Sequence, residues 1–201
     1  MITIIDYGMG NLGSIRSMFR RIGVHSTISG DAEEIARAEK ILLPGVGHFD
    51  AAMGQIDQRG LRSVLDDKAM RERVPTLGIC LGMQLLTRGS AEGHRGGLGW
   101  VQGEACRFPV APELKVPHMG WNAVRSTRKS ALTDGLTADS RFYFVHSYYV
   151  LTDHADETVL TTDYGVTFAA AIEAGNIYGA QFHPEKSHKF GMQVLANFAR
   201  L

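Results

Sequence analysis

The residues most able to do chemistry here are a cysteine between glycines, Gly78-Ile79-Cys80-Leu81-Gly82, preceded by the apolar run Pro75-Thr-Leu-Gly-Ile79. A buried strand that turns abruptly into a helix through such a segment has the form of a nucleophile elbow, with Cys in place of Ser. The glycines have a physical purpose. The turn brings backbone segments so close that side chains at 78 and 82 would collide. The turn lifts the Cys80 sulfur over the carboxyl edge of the sheet, where open α/β folds bind ligands. The helix N-terminus favours a thiolate, and the Leu81 N–H, first in the helix, is placed to stabilise an oxyanion. A lone cysteine is more often a buried structural residue, and Cys106 in Glu-Ala-Cys-Arg-Phe reads that way. The elbow reverses that reading for Cys80.

A cysteine nucleophile needs a base, and the base needs an orienting group. His183-Pro184-Glu185 supplies both types. Pro184 keeps His183 out of the helical region. With extended backbone, His183 and Glu185 would project on one side. Glu185 then bonds one imidazole nitrogen and fixes the tautomer, while the other nitrogen faces the thiol. A third segment, Pro44-Gly45-Val46-Gly47, follows another apolar strand. Glycine allows a peptide N–H there to turn toward a substrate oxygen.

A rival motif lies near the N-terminus. Gly8-Met-Gly10-Asn-Leu-Gly13 fits the dinucleotide pattern G-x-G-x-x-G, with Asp31 or Glu33 near the expected acidic position. Against a nucleotide, the strand–helix alternation fills only half the chain, and that reading leaves the cysteine elbow without a purpose. The histidines, among them His48, His94, His118, His146, His154 and His188, are scattered. None pairs with another His or Cys at a zinc spacing, so no metal and no organic cofactor is expected.

The elements that must hold these groups follow from periodicity. Residues 2–5 read as a strand. Leu12, Ile15, Phe19 and Ile22 read as a helix that Gly23 ends. Residues 25–29 and Lys40–Leu43 are further strands, with Asp31 capping a helix between them, and helical patterns fill about 49–73. Such alternation predicts a parallel sheet with helices on both faces. From about 98 to 182 short strands dominate, with Phe168–Ile172 and Ile177–Phe182 as a hairpin around Gly175-Asn176. Phe190, Val194, Leu195, Phe198 and Leu201 close the chain as an amphipathic helix. The expected fold class is α/β: an open, mostly parallel central sheet with flanking helices and an antiparallel, β-rich second half.

The totals agree with one domain over residues 1–201, since single cores reach about 200 residues. Lys plus Arg equals Asp plus Glu at 21 each, so the formal net charge is zero, with no electrostatic reason to expect nucleic acid or an anionic membrane. Two cysteines make no disulfide scaffold. No basic leader is visible, and no apolar run reaches the roughly 18 residues of a membrane span. The expected compartment is the cytoplasm.

Together the elbow Gly-Ile-Cys-Leu-Gly-Met-Gln84, the late Gln181-Phe-His-Pro-Glu-Lys-Ser187 and the Pro-Gly loop resemble the class I (triad) glutamine amidotransferases, in the same order and across the whole chain. Asp6-Tyr-Gly-Met-Gly-Asn-Leu12, Pro44-Gly-Val-Gly-His-Phe49, Pro117-His-Met-Gly-Trp-Asn122 and Val145-His-Ser-Tyr148 look like the glutaminase subunits of imidazole glycerol phosphate synthases. Anthranilate-type subunits usually have Pro-Gly-Pro-Gly where this chain has Val46. The resemblance implies a triad of Cys80, His183 and Glu185, with Val46, Gly47 and Leu81 forming the oxyanion hole. It implies that Gly47, Gln84, Ser147 and Tyr148 hold L-glutamine. It also implies a heterodimer with a (β/α)8-barrel cyclase that uses the ammonia to make imidazole glycerol phosphate in histidine biosynthesis. Asn11, Pro117, Met119, Trp121, Asn122 and Lys186 are the residues expected to face that partner. The rival glycine motif then becomes a loop near the partner.

Overall fold

The computed structural model describes residues 1–201. In chain order its first half runs β1 (Ile2–Ile5), α1 (Leu12–Arg21), β2 (Ser26–Ser29), α2 (Ala32–Ala36), β3 (Lys40–Leu43), α3 (Phe49–Gln58), α4 (Arg62–Asp66), β4 (Thr76–Ile79) and α5 (Leu81–Leu85). The second half is β5 (Gly103–Arg107), β6 (His118–Ala123), β7 (Arg125–Ser126), β8 (Arg141–His146), β9 (Tyr148–Thr152), β10 (Thr158–Tyr164), β11 (Val166–Ala174), β12 (Ile177–Ala180) and α6 (His188–Arg200). One eight-stranded sheet has the order β2-β1-β3-β4-β12-β11-β10-β7. The pairings from β2 to β12 are parallel, and those from β12 to β7 antiparallel. Two short antiparallel ladders, β5–β9 and β6–β8, accompany it. The α/β expectation therefore holds, as does the division into a parallel and an antiparallel half.

The inner parallel strands β1, β3, β4 and β12 are buried on both faces, so they are mostly apolar rather than alternating, whereas the edge strand β2 is polar and partly exposed. Ile2, Ile4 and Leu42 point into a core closed by Ile15 and Phe19 of α1 and by Val194, Leu195 and Phe198 of α6. Ile5, Ile41 and Leu43 point the other way, against Phe49, Met53 and Ile56 of α3 and Leu81, Met83 and Leu85 of α5. Asp31 caps α2 through an Oδ1 that accepts the Glu34 N–H at 2.9 Å.

Local geometry refines one expectation and corrects another. The helical patterns over 49–73 divide into separate pieces. Gly60 adopts φ +66, and the Leu61 N–H donates to Ile56 O at 3.0 Å, a glycine C-terminal cap that ends α3. A short α4 and a π-turn over Asp67–Arg71 follow. At the other end, β12 stops at Ala180, and Pro184–Lys186 form a single 3-10 turn rather than extended chain.

Candidate active site

Cys80 is the residue at which β4 becomes α5. Its backbone lies at φ 53, ψ −109, a region that costs a side-chain-bearing residue about 1–3 kcal/mol and persists only where the surroundings enforce it. The surroundings do so by close approach. A Cβ on Gly78 would stand 2.6 Å from Gly82 O, and one on Gly82 only 1.9 Å from Leu43 O. The glycines thus let α5 start directly against the ends of β3 and β4. The Leu81 amide, at the first helical position, has no backbone acceptor, as expected for a helix N-terminus.

The Cys80 N–H continues the parallel ladder, donating to Ala180 O at 2.7 Å. Three residues beyond Ala180 lies His183, and this strand adjacency brings it to the thiol across more than a hundred positions. His183 is in the β region, φ −98, ψ 98. Its Nδ1 is 2.8 Å from Glu185 Oε1, and both side chains are almost wholly buried. The contact forms because the 3-10 turn folds Glu185 back over the ring, not because the two residues alternate along a strand. His183 Nε2 is buried with no partner of standard hydrogen-bond geometry, so it is the ring atom left for the thiol. Burial alone would lower the His183 pKa. Contacts with Cys80 and Glu185 outweigh that and raise it to about 9, so the ring carries a proton at neutral pH.

A cleft of about 310 Å³ opens over these groups, lined by Val46, Gly47, Cys80, Leu81, Gln84, Ser147, Tyr148 and His183 among others. It brings together Cys80, His183, Val46 and Gly47 of the Pro-Gly loop, and the residues expected to hold substrate. A larger hollow of about 710 Å³ beside Arg128, Asp134 and Arg200 is lined by no cysteine or histidine, and chemistry rather than size selects between them. The Pro-Gly loop is anchored beneath the cleft: the buried Tyr7 hydroxyl donates to Pro44 O, and a Cβ on Gly45 would meet Gly82 N at 2.6 Å. Beyond that anchor Val46 and Gly47 are exposed, with Gly47 at φ +105.

Two further residues, Gln181 and Glu92, join the site without a role read from the sequence. Gln181, fully buried, donates through Nε2 toward Cys80 Sγ at 3.7 Å and accepts from Gln84 Nε2 at 3.4 Å. Its one sequence signal is that it precedes the His-Pro-Glu run by two positions. Gln84 also donates to Tyr148 O at 3.0 Å, tying the elbow helix to the strand opposite. Glu92 places a carboxylate in the cleft, and its Oε2 accepts the Phe49 N–H at 2.8 Å. The structure also corrects the reading of two histidines. His118 and His146 are not scattered but face each other across the β6–β8 ladder.

The expected partner-facing residues sit as follows. Met119 is 62% exposed and Trp121 46% exposed, so neither packs in the core. Trp121 stacks on His188 at 5.4 Å. Asn11, Pro117 and Lys186 are exposed, whereas Asn122 is half-buried. The rival glycine motif fails on packing. Its third glycine should permit close helix–strand contact, yet a Cβ on Gly13 meets nothing within 4 Å.

Residues 3–201 match the family model described as glutamine amidotransferase class-I. The chain belongs to the class-I glutamine amidotransferases. Among its relatives, this amidotransferase is 50% identical to a protein of Methanococcus maripaludis named imidazole glycerol phosphate synthase subunit HisH 2, over 100% of this chain and 99% of the relative. It is 47% identical to a protein of the same name from Pseudomonas aeruginosa, with 100% of both chains covered. Its fold resembles the crystal structure of a glutamine amidotransferase from Thermotoga maritima. The TM-score is 0.67 at 15% identity, covering 98% of this chain and 81% of the other.

Proposed function

We propose that this amidotransferase is the glutaminase subunit of imidazole glycerol phosphate synthase. It hydrolyses L-glutamine and passes the ammonia to a cyclase in histidine biosynthesis. The observation that carries the chemistry is the buried His183–Glu185 pair, which lies beside Cys80 through the β4–β12 pairing. The full-length relatives named as HisH support the pathway.

In this mechanism the Cys80 thiolate attacks the side-chain amide carbon of glutamine. Charge develops on the amide oxygen, and the backbone N–H groups of Leu81 and the Val46–Gly47 segment receive it. His183, protonated and held by Glu185, gives its Nε2 proton to the departing nitrogen, and ammonia leaves a thioester on Cys80. The neutral ring then takes a proton from water. The resulting hydroxide attacks the thioester, glutamate departs, and the thiolate–imidazolium pair is restored. Gly47, Gln84, Ser147 and Tyr148 hold the substrate, and the Glu92 carboxylate suits its α-ammonium group. No metal or organic cofactor enters the scheme.

The cyclase partner is of (β/α)8-barrel type and forms a heterodimer through Asn11, Pro117, Met119, Trp121, Asn122 and Lys186. Large apolar side chains left exposed beside the cleft support that assignment, because aromatic and Met residues are favoured at interface centres. No helix is long and apolar enough to cross a membrane, and the complex works in the cytoplasm. The test is glutamate release by the purified chain, with and without the cyclase and its ribotide ligand. A strong rise only with both supports the reading. Full activity from the chain alone assigns it instead to the stand-alone hydrolases.

A further inference from the structure

The mechanism makes no use of two histidines buried beside it. His118 and His146 are 3% and 6% exposed, and their rings touch through His118 Nδ1 and His146 Nε2 at 3.1 Å. Their proton positions follow from the neighbours. His146 Nδ1 lies 2.8 Å from Tyr148 O, a carbonyl that can only accept, so Nδ1 bears the hydrogen. A neutral His146 then offers Nε2 as an acceptor, and His118 Nδ1 must donate to it. That leaves His118 Nε2 as an acceptor, facing Asn122 Nδ2 at 3.5 Å. The second hydrogen of that amide goes to Asp163 O at 2.8 Å.

Both rings are held in an apolar cage. His118 is stacked between Phe144 and Tyr164, at 4.9 and 4.0 Å. Phe108 and Phe168 pack on His146, each at 5.2 Å. Burial lowers the His118 pKa to about 4 and that of His146 to about 3. Both are therefore neutral under working conditions, as the donor–acceptor order requires.

The order has one direction and one destination. Asn122, next to the exposed Trp121, donates to His118, His118 to His146, and His146 to the Tyr148 carbonyl. That carbonyl also accepts from Gln84, which donates in turn to Gln181, the side chain directed at Cys80 Sγ. His146, Ser147 and Tyr148 form one edge of the cleft.

We propose that His118 and His146 are positioning residues. They act as a neutral, one-way hydrogen-bond relay that sets the Ser147–Tyr148 backbone for glutamine and ties it to the Trp121–Asn122 strand. The inference rests on the glutaminase reading of the cleft. Neither ring touches the reacting atoms, so their loss acts on substrate binding more than on turnover.

The test combines kinetics with the tautomers themselves, using the full chain with its cyclase partner and ribotide. In 15N spectra of the wild-type chain at pH 7, both buried rings are expected as the Nδ1–H tautomer. His146→Gln, which loses the donor to Tyr148 O, is expected to raise the glutamine KM by about tenfold, the scale of one buried hydrogen bond, with a smaller change in kcat. His118→Phe keeps the stacked ring, loses the donor to His146, and is expected to do the same. His118→Asn restores a donor at that position and is expected to recover most of that loss. An Nε2–H or doubly protonated ring on either residue overturns the relay, and this measurement needs no variant that folds. Unchanged KM in both His146→Gln and His118→Phe, or a loss confined to kcat, also overturns it. A wild-type complex that does not hydrolyse glutamine removes the glutaminase reading instead, while the tautomers still report on the relay.

Discussion

Cys80 donates its backbone N–H to Ala180 O at 2.7 Å, extending the β4–β12 register that brings Cys80 and His183 to the same sheet edge. β4 and β12 are adjacent and parallel, so their carboxyl ends emerge together, Cys80 from one and the chain to His183 from the other. Substituting the thiol removes the nucleophile without touching this scaffold. Cys80→Ala is expected to keep its thermal midpoint within a few degrees and to lose glutaminase activity by several orders of magnitude. Steady-state glutamate release and a melting curve on the same sample check both halves. Retained hydrolysis would remove Cys80 from the mechanism.

Glu185 reaches the ring by a local turn and is buried with it, so its effect is electrostatic as well as orienting. In Glu185→Gln the ring loses a negative partner in a site where burial already opposes its charge. The His183 pKa should fall from about 9, although the Cys80 contact that also raises it remains. The pH dependence of glutamine kcat/KM should shift to the acid side accordingly. The rate should drop by roughly 10³-fold or more, as when the orienting carboxylate of a serine triad is amidated. A full-rate variant with an unmoved profile would reduce Glu185 to a packing role.

Two glycines separate the elbow from the rival nucleotide motif. Gly82 faces Leu43 O so closely that Gly82→Ala must move a strand end, and it should destabilise the chain by about 3 kcal/mol or more. Gly13 sits in α1 with open space around it. Gly13→Ala should raise stability by roughly 0.5–1 kcal/mol, the ordinary helix gain, and leave glutamine hydrolysis unchanged. Denaturant midpoints of the two variants decide the matter. A large loss on Gly13→Ala would revive a packing role for the G-x-G-x-x-G segment.

Glu92 is a charged residue of the cleft that belongs to no motif. One of its oxygens is occupied by the Phe49 N–H, which aligns the carboxylate and leaves the other oxygen for a ligand. Glu92→Gln should raise the glutamine KM by about 10–100-fold, the worth of one charged hydrogen bond, with kcat less affected. An unchanged KM would place the α-ammonium group elsewhere.

The parts legible in the sequence are those whose cause is local. The elbow is written in Gly78 and Gly82 because backbone clearance excludes a Cβ, and the inner parallel strands in their mostly apolar runs. What depends on register is not legible. Gln181 meets Cys80, and His118 meets His146, only because particular strands pair in particular alignments, and neither pair leaves a spacing signature. The His183–Glu185 contact is legible as a pair, but strand alternation is the wrong cause for it. Proline at 184 starts a 3-10 turn, and that turn closes the pair.

The buried histidine pair also sets a pH dependence of stability. Both pKa values are lowered in the folded chain, to about 4 and about 3 from an ordinary 6.5. Below pH 6.5 the unfolded chain binds protons that these rings refuse in the fold, so stability falls as pH drops from 6.5 toward 4, by about 1.4 kcal/mol per pH unit for each ring. His183 adds no slope in this window, because it is protonated in both states below its ordinary value. Aspartates with lowered pKa values, such as Asp50 and Asp163, act mainly below this range. Urea midpoints measured from pH 7 to 4.5 should fall steeply for the wild-type chain. In His118→Phe/His146→Phe, which has no ring to protonate, the fall should be shallower by up to two protons. Equal slopes for the two chains would mean that the rings protonate in the fold as easily as in water, which the cage of Phe108, Phe144, Tyr164 and Phe168 should forbid.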